Sequence, residues 1–231
     1  YWLARKAEEI MASELPVKNR TARGEGYAGA FPEFTEFVDG IIKTRIAADD
    51  RGDDPVGRVV RGAVKDWDEP VKMARMILVQ LLLGGTSTTR DFLGHLFHRL
   101  ILRPDLHAAI DADRRLIPVA VEEGLRLDPP LMTTFRGVRQ KFTLRGVELI
   151  PGERMVISVA AANRDPDVYP DPDGFRLDRV SPPPHLTFSY GSHFCIGAPL
   201  ARMESQIALE VFLDMVKPGS LRTIPGFEMK R

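Results

Sequence analysis

The chain holds one cysteine, Cys195, within the stretch FSYGSHFCIGAPLAR from Phe188 to Arg202. Gly191 stands four residues before it and Gly197 two after. Glycines at these places allow a tight loop and a close approach of backbone to sulfur. The segment from about Ala198 to Val216 has the apolar spacing of an amphipathic helix, so a helix N-terminus follows the loop at once. Backbone N–H groups and the positive end of that helix both favour thiolate over thiol. A sulfur held in this way serves as a nucleophile or as a metal ligand; the alternative is a small buried hydrophobe with no chemical role. His193, two residues before the cysteine, is the nearest base a nucleophile could use, but spacing leaves its direction open, and nothing else resembles a cysteine-hydrolase signature. A zinc site is disfavoured, because one cysteine and five scattered histidines do not supply its ligand set.

Three further groups carry chemistry. Glu123 and Arg126, in VEEGLR, lie three apart, so on a helix they share a face and can pair. The same spacing recurs at Glu228 and Arg231, so it informs only through its context. An exposed pair of this kind contributes ~0–1 kcal/mol. Arg136, in TTFRG, offers a guanidinium fork suited to a carboxylate; the alternative is a solvated strand edge. GGTSTT, from Gly84 to Thr89, sets two glycines and three threonines inside a long apolar run. Each is a poor helix former, by some tenths to about 1 kcal/mol against Ala. That weakness marks a kink or a ligand-facing site, although hydroxyl bonding to the preceding turn is a structural reason for the same residues.

These groups need elements to position them. FPEFTEFVDGIIKTRIAADD reads as a helix, with Phe34, Phe37, Val38, Ile41 and Ile42 at helical spacing, and DDRGDDP breaks it. The Gly-rich TARGEGYAG at 21–29 reads as a loop. Residues 71–102 form the longest helical segment, which would span about 48 Å if continuous. Phe92, Leu93, Leu96, Phe97, Leu100 and Ile101 make one apolar face there, and Pro104 ends it. DLHAAIDADRRLIPVAVEEGLRLDPP reads as two short helices stopped at Pro129–Pro130. Strands are expected near 142–144, 147–149 and 155–159, with RG and PGE turns between them. The Asp- and Pro-rich run from Asp165 to Pro184 should be an extended, irregular meander. The fold class is therefore mostly α with small β-sheets.

The 231 residues suffice for one large domain or two small ones. The 32 basic and 32 acidic residues cancel, which gives no reason to expect nucleic acid or an anionic membrane as partner. The longest apolar stretch, Met76 to Leu83, contains Gln80 and falls far short of the ~20 residues a membrane span needs. The first residues are charged and carry no signal-peptide pattern. One cysteine cannot form an internal disulfide, so a cytoplasmic setting is expected. No internal repeat is visible.

Phe188, Gly191, Cys195 and Gly197 stand as F-x-x-G-x-x-x-C-x-G, with His193 before the cysteine and APLAR after it. This resembles the haem-binding loop of the cytochromes P450, of the soluble bacterial type. The resemblance implies that residues 1–231 are the C-terminal part of a single P450 domain, with the I helix at about 71–102, the haem-binding loop at 188–197 and the L helix at about 198–216. It implies haem b (iron protoporphyrin IX) as cofactor, with Cys195 as the proximal iron ligand. Phe188, Gly191 and Gly197 would shape the loop, and His193 and Arg136 would reach the haem propionates. Glu123 and Arg126 match the family's E-x-x-R, and Arg179 the meander arginine that joins them. GGTSTT resembles the distal motif: Gly84 and Gly85 would let oxygen and substrate approach the helix, and Thr88 would serve proton delivery. Ser87 stands where the family usually has an acid, and a hydroxyl can relay a proton but cannot supply one as a carboxyl does.

The implied activity is monooxygenation, in which one oxygen atom from O₂ enters a small hydrophobic organic substrate lined by 81–85 and 131–134. A ferredoxin or flavin reductase would donate the electrons, docking on the cysteine side near Arg114, Arg115 and Arg202. The family's helix C basic residue, its B–C lid loop and its last hairpin are not found, so a fold truncated at both ends is expected. A haem-binding protein that does not oxidise, and an inert helical fragment without haem, stay open as alternatives.

Overall fold

The computed structural model describes residues 31–48, 52–179 and 182–226. The 21–29 loop and the second E-x-x-R spacing at 228–231 lie outside the described residues. The chain divides into two compact units, one ending at Ser87 and one starting at Thr88.

In the first unit, α1 (Pro32–Ala47), α2 (Pro55–Asp66) and the first part of α3 (Pro70–Leu102) share one core. Proline at the start of each suits a helix, because the missing N–H is one that would go unbonded anyway. The apolar spacing foreseen for α1 puts Phe34, Val38 and Ile42 inside, against Val60 and Ala63 of α2 and Ala74, Val79 and Leu83 of α3. The helix α2 was not anticipated. Its signal was Asp54 before Pro55: the Asp54 carboxylate accepts from the Gly57 N–H at 2.9 Å, an N-cap bond.

The helix α3 runs unbroken through GGTSTT. Weak propensity there is overridden, as it commonly is inside a long packed helix. Thr86 Oγ1 donates to the Leu82 carbonyl at 2.7 Å and Ser87 Oγ to the Leu83 carbonyl at 3.2 Å. The expected backbone bonding of these hydroxyls is therefore present.

The second unit centres on α5 (Ile117–Leu127), which packs against α7 (Ala198–Met215). A short α4 (Pro104–Ala112) and a single 3₁₀ turn, Arg114–Leu116, lead into α5. Phe92, Leu96 and Leu100 of α3, Ile110 of α4, Val121 and Leu125 of α5, and Leu209 and Leu213 of α7 build the core. Phe97 and Phe212 stack with centroids 4.5 Å apart. Gly124 lets α5 approach α3 closely: a Cβ there would meet Leu96 Cδ1 at 3.1 Å and Phe92 Cε2 at 3.3 Å.

Between α5 and α7 lie two small antiparallel sheets. The strand β1 (Thr133–Gly137) pairs with β4 (Arg154–Ser158), and β2 (Phe142–Leu144) with β3 (Val147–Leu149). The β2–β3 turn is Arg145–Gly146, both in the left-handed region at φ 48° and 83°, which matches the twist of a hairpin. The strand β1 was not foreseen, since TTFRG shows little alternation; β4 stops at Ser158, whose hydroxyl caps the four-residue α6 (Val159–Ala162). From Asn163 to Tyr190 the described residues hold no helix or strand, as expected of the meander.

Candidate functional site

The loop before α7 is shaped by its own backbone. The Cys195 N–H donates to the Phe188 carbonyl at 2.9 Å, and the Phe194 N–H to the Gly191 carbonyl at 3.0 Å, closing a 3₁₀ turn over Gly191–His193. Gly191 has φ 73°, a conformation only glycine adopts without strain, and Ser189 is left-handed as well at 65°. Gly197 needs no left-handed backbone. Its φ is an ordinary −82°, and an added Cβ would sit 3.7 Å from the sulfur, a normal contact.

Cys195 is a free thiol and exposed. The reading of it as a buried small hydrophobe is therefore overturned. Tyr190, Phe194 and Ile196, its near neighbours in the loop, are exposed too. His193 is exposed at the end of the 3₁₀ turn. Arg136 on β1 reaches the same loop: its guanidinium donates to Ser189 Oγ at 3.4 Å, and also to Thr134 Oγ1 and the Phe135 carbonyl at 3.1 and 2.9 Å.

Behind the loop is a buried charge network. Arg126 and Glu123 form a two-pronged bond at 2.9 and 2.7 Å, with side chains 2% and 6% exposed, so the exposed-pair alternative fails. Arg179 donates to Glu123 at 2.9 Å, as expected, and the Arg176 N–H adds 3.1 Å. Burial pushes the Glu123 carboxyl up, but the bonds from Arg126 and Arg179 outweigh it and hold it below its usual range. Arg126 also donates to the carbonyls of Asn163, Pro172 and Gly174, and lies 5.0 Å above the Tyr169 ring. Burial raises the Tyr169 hydroxyl above its ordinary value.

Sequence reading missed two partners of this network. Asn163, fully buried, donates to Thr187 Oγ1 at 2.9 Å and accepts from the Leu186 N–H at 2.7 Å; Thr187 in turn donates to the Leu125 carbonyl. Glu122 binds Arg202 through both oxygens at 2.7 and 2.9 Å, with His185 Nε2 at 3.3 Å. Burial raises the Glu122 carboxyl, yet His185 and Arg202 bring it down to about 2. A cavity of about 300 Å³ opens among Glu122, Glu123, Arg126, Tyr169, His185 and Arg202. The only trace of these partners in sequence was a charged residue on α5 beside Glu123 and another at the second turn of α7.

Of the arginines expected at a docking face, Arg114 pairs with Asp111 and Asp214, Arg115 with Asp113, and Arg202 with Glu122. On α3, Gly84 and Gly85 are exposed, and Ser87 and Thr88 partly buried. Leu131, expected in the pocket lining, is exposed.

The donor set fits haem. A porphyrin iron already has four nitrogen ligands, so one protein sulfur is enough, and the absence of any His/Cys/Asp/Glu metal cluster among the described residues is no obstacle. The exposed Tyr190, Phe194 and Ile196 of the same loop suit a flat apolar macrocycle, and the Arg136 fork suits its carboxylates.

Residues 71–215 match the family described as Cytochrome P450. The chain belongs to that family. It is 34% identical over 176 residues to the C-19 steroid 1alpha-hydroxylase of Sorangium cellulosum (strain So ce56), covering 76% of this chain and 44% of that protein. It is 33% identical over 203 residues to the cytochrome P450 monooxygenase PikC of Streptomyces venezuelae, covering 85% and 47%. Among solved structures, a mutant of P450 EryK in complex with erythromycin B superposes with a TM-score of 0.79 at 30% identity, covering 92% of this chain and 54% of that one. The chain thus spans under half the length of these curated relatives.

Proposed function

We propose that the full-length protein is a haem-thiolate monooxygenase that inserts one oxygen atom from O₂ into a small hydrophobic organic substrate, with haem b as cofactor. The observation that carries this reading is the exposed Cys195 thiol, tied through its amide to the buried Phe188, two residues before the α7 N-cap. A haem held by thiolate supplies electron density that favours O–O cleavage. Around it the chain's own residues bind and orient. Cys195 would ligate the iron, and Arg136 and His193 would hold the two carboxylates of the macrocycle. Phe188, Gly191 and Gly197 would fix the loop. Gly84 and Gly85 would let oxygen and substrate approach α3.

Thr88 and Ser87 would pass protons. Ser87 already donates its hydroxyl proton to the Leu83 carbonyl, so it can relay only after turning away from that bond. The C-19 steroid 1alpha-hydroxylase among the relatives supports a hydrophobic organic substrate. A ferredoxin or flavin reductase is the electron donor in this reading, and the cytoplasm its location. None of the described helices is long and apolar enough to cross a membrane.

The test is the ferrous carbonyl spectrum of the full-length protein, followed by donor-driven turnover. The wild type should give the thiolate-type Soret band and Cys195→Ser should lose it; identical spectra would sink the reading. The engaged Ser87 hydroxyl favours a second reading, a haem-thiolate protein that does not oxidise. Normal haem binding with no turnover from any donor would establish that one. Titration of the 231-residue chain with haemin shows whether this part binds haem unaided.

A further inference from the structure

We propose that Glu122 and Arg202 form a clamp that positions the Cys195 loop by holding the Phe188 ring; this rests on the haem-thiolate reading. Glu122 sits on α5 and Arg202 on α7, 80 residues apart. Their two parallel bonds, at 2.7 and 2.9 Å, fix the guanidinium plane. That plane lies 4.6 Å from the centroid of the Phe188 ring, within cation–π range. The Phe188 ring also meets His185 at 5.8 Å and Phe194 at 6.5 Å, so it is held on several sides. Its carbonyl takes the Cys195 N–H at 2.9 Å.

The route from a carboxylate on α5 to the amide of Cys195 therefore has three short links: ion pair, cation–π contact, backbone bond. Only one link is flexible. Arg202 has four rotatable side-chain bonds, and Glu122 removes that freedom. His185 stiffens the other end. Its Nδ1 accepts from the Thr187 N–H at 3.3 Å, and its Nε2 lies 3.3 Å from Glu122 Oε2. Arg202 is thus a positioning residue, and Glu122 acts through it. Lysine could not replace Arg202 here, because an ammonium neither stacks flat nor binds both oxygens.

Position and field make opposite predictions. If the two residues acted only by charge, removing the cation would lower the haem reduction potential and removing the anion would raise it. If they position the loop, both removals loosen the sulfur in the same direction. The experiment uses the full-length holoprotein with Glu122→Gln, Arg202→Gln, Arg202→Lys and the Glu122→Gln/Arg202→Gln double variant. The readouts are the fraction of ferrous carbonyl complex lacking the thiolate-type band, the reduction potential, and hydrogen-exchange protection of the Cys195 amide.

The expected result is a several-fold rise in that fraction and a several-fold loss of amide protection in both Gln variants. Arg202→Lys should fall between wild type and Arg202→Gln. The double variant should fall short of the sum of the two single variants, since Glu122 and Arg202 act largely through one shared pair. Unchanged spectra, additive effects in the double variant, or potentials moving in opposite directions with the amide still protected would each overturn the clamp. A wild-type protein without the thiolate-type band overturns the haem-thiolate reading and the clamp together. A normal wild-type band with unaffected variants overturns the clamp alone.

Discussion

Glu123 and Arg126 show how much a single pair can carry once it is buried. Removing one partner leaves the other charged, desolvated and unmatched, which costs ~3–5 kcal/mol. Arg126→Leu should therefore lower the urea midpoint sharply and abolish haem retention, whereas Arg115→Leu, on a 90% exposed side chain, should change the midpoint little. Glu122 gives a pH signature. Its carboxyl is held at about 2 rather than its ordinary 4.5, so folding gains from its ionised form above 4.5 and loses that gain as pH falls towards about 2. The midpoint advantage of wild type over Glu122→Gln should shrink across that window and stay flat above it. At the distal helix, Ser87→Asp should raise the product formed per electron pair consumed, because a carboxyl supplies the proton a backbone-bonded hydroxyl must first release; unchanged or lower coupling removes proton supply as the limit set by Ser87. The Cys195 loop was legible because its residues are near neighbours in sequence. The clamp was not, because Glu122 and Arg202 meet only through the packing of α5 on α7, His185 comes from the irregular run before the cysteine loop, and nothing in the chain order marks the three as partners.

The helices were legible wherever an apolar stripe and a proline start coincided, as at Pro32 and Pro104. The helix α2 escaped because Gly57 and Gly62 lower its propensity, although Val56, Val59, Val60, Ala63 and Val64 recur at helical spacing and Asp54–Pro55 announced its start. GGTSTT, read as a kink or a ligand-facing site, stays helical: the glycines and threonines cost helix propensity, but the rest of a 33-residue helix carries them. Gly124 was not singled out either, since a glycine between Glu123 and Arg126 has no periodic meaning. Its reason is contact. Phe92 and Leu96 are 2% and 1% exposed and have no room to retreat from a new methyl group. Gly124→Ala gains about 1 kcal/mol of helix propensity but overpacks by ~1–3 kcal/mol. The net should be a lower Tm, whereas Gly94→Ala, with nothing within 4 Å of its added Cβ, should raise it.

For the whole chain, charge balance and surface act together. The sequence pI is about 7.2, so near neutral pH little net repulsion keeps copies apart. On α7, Leu200, Met203, Ile207, Val211 and Met215 are exposed along one face. A run of this size on a nearly uncharged chain promotes association. Light scattering of the 231-residue chain should rise as pH approaches 7.2, and Ile207→Lys with Val211→Lys should suppress that rise without altering the α5–α7 core, because both side chains face away from Leu209 and Leu213.

Arg126 has a consequence for how the chain is made. Its guanidinium takes the carbonyls of Asn163, Pro172 and Gly174, which lie 37, 46 and 48 residues downstream. During translation the N-terminal template leaves the ribosome before its clients do. The ladderless meander therefore emerges onto a docking post that is already waiting for it.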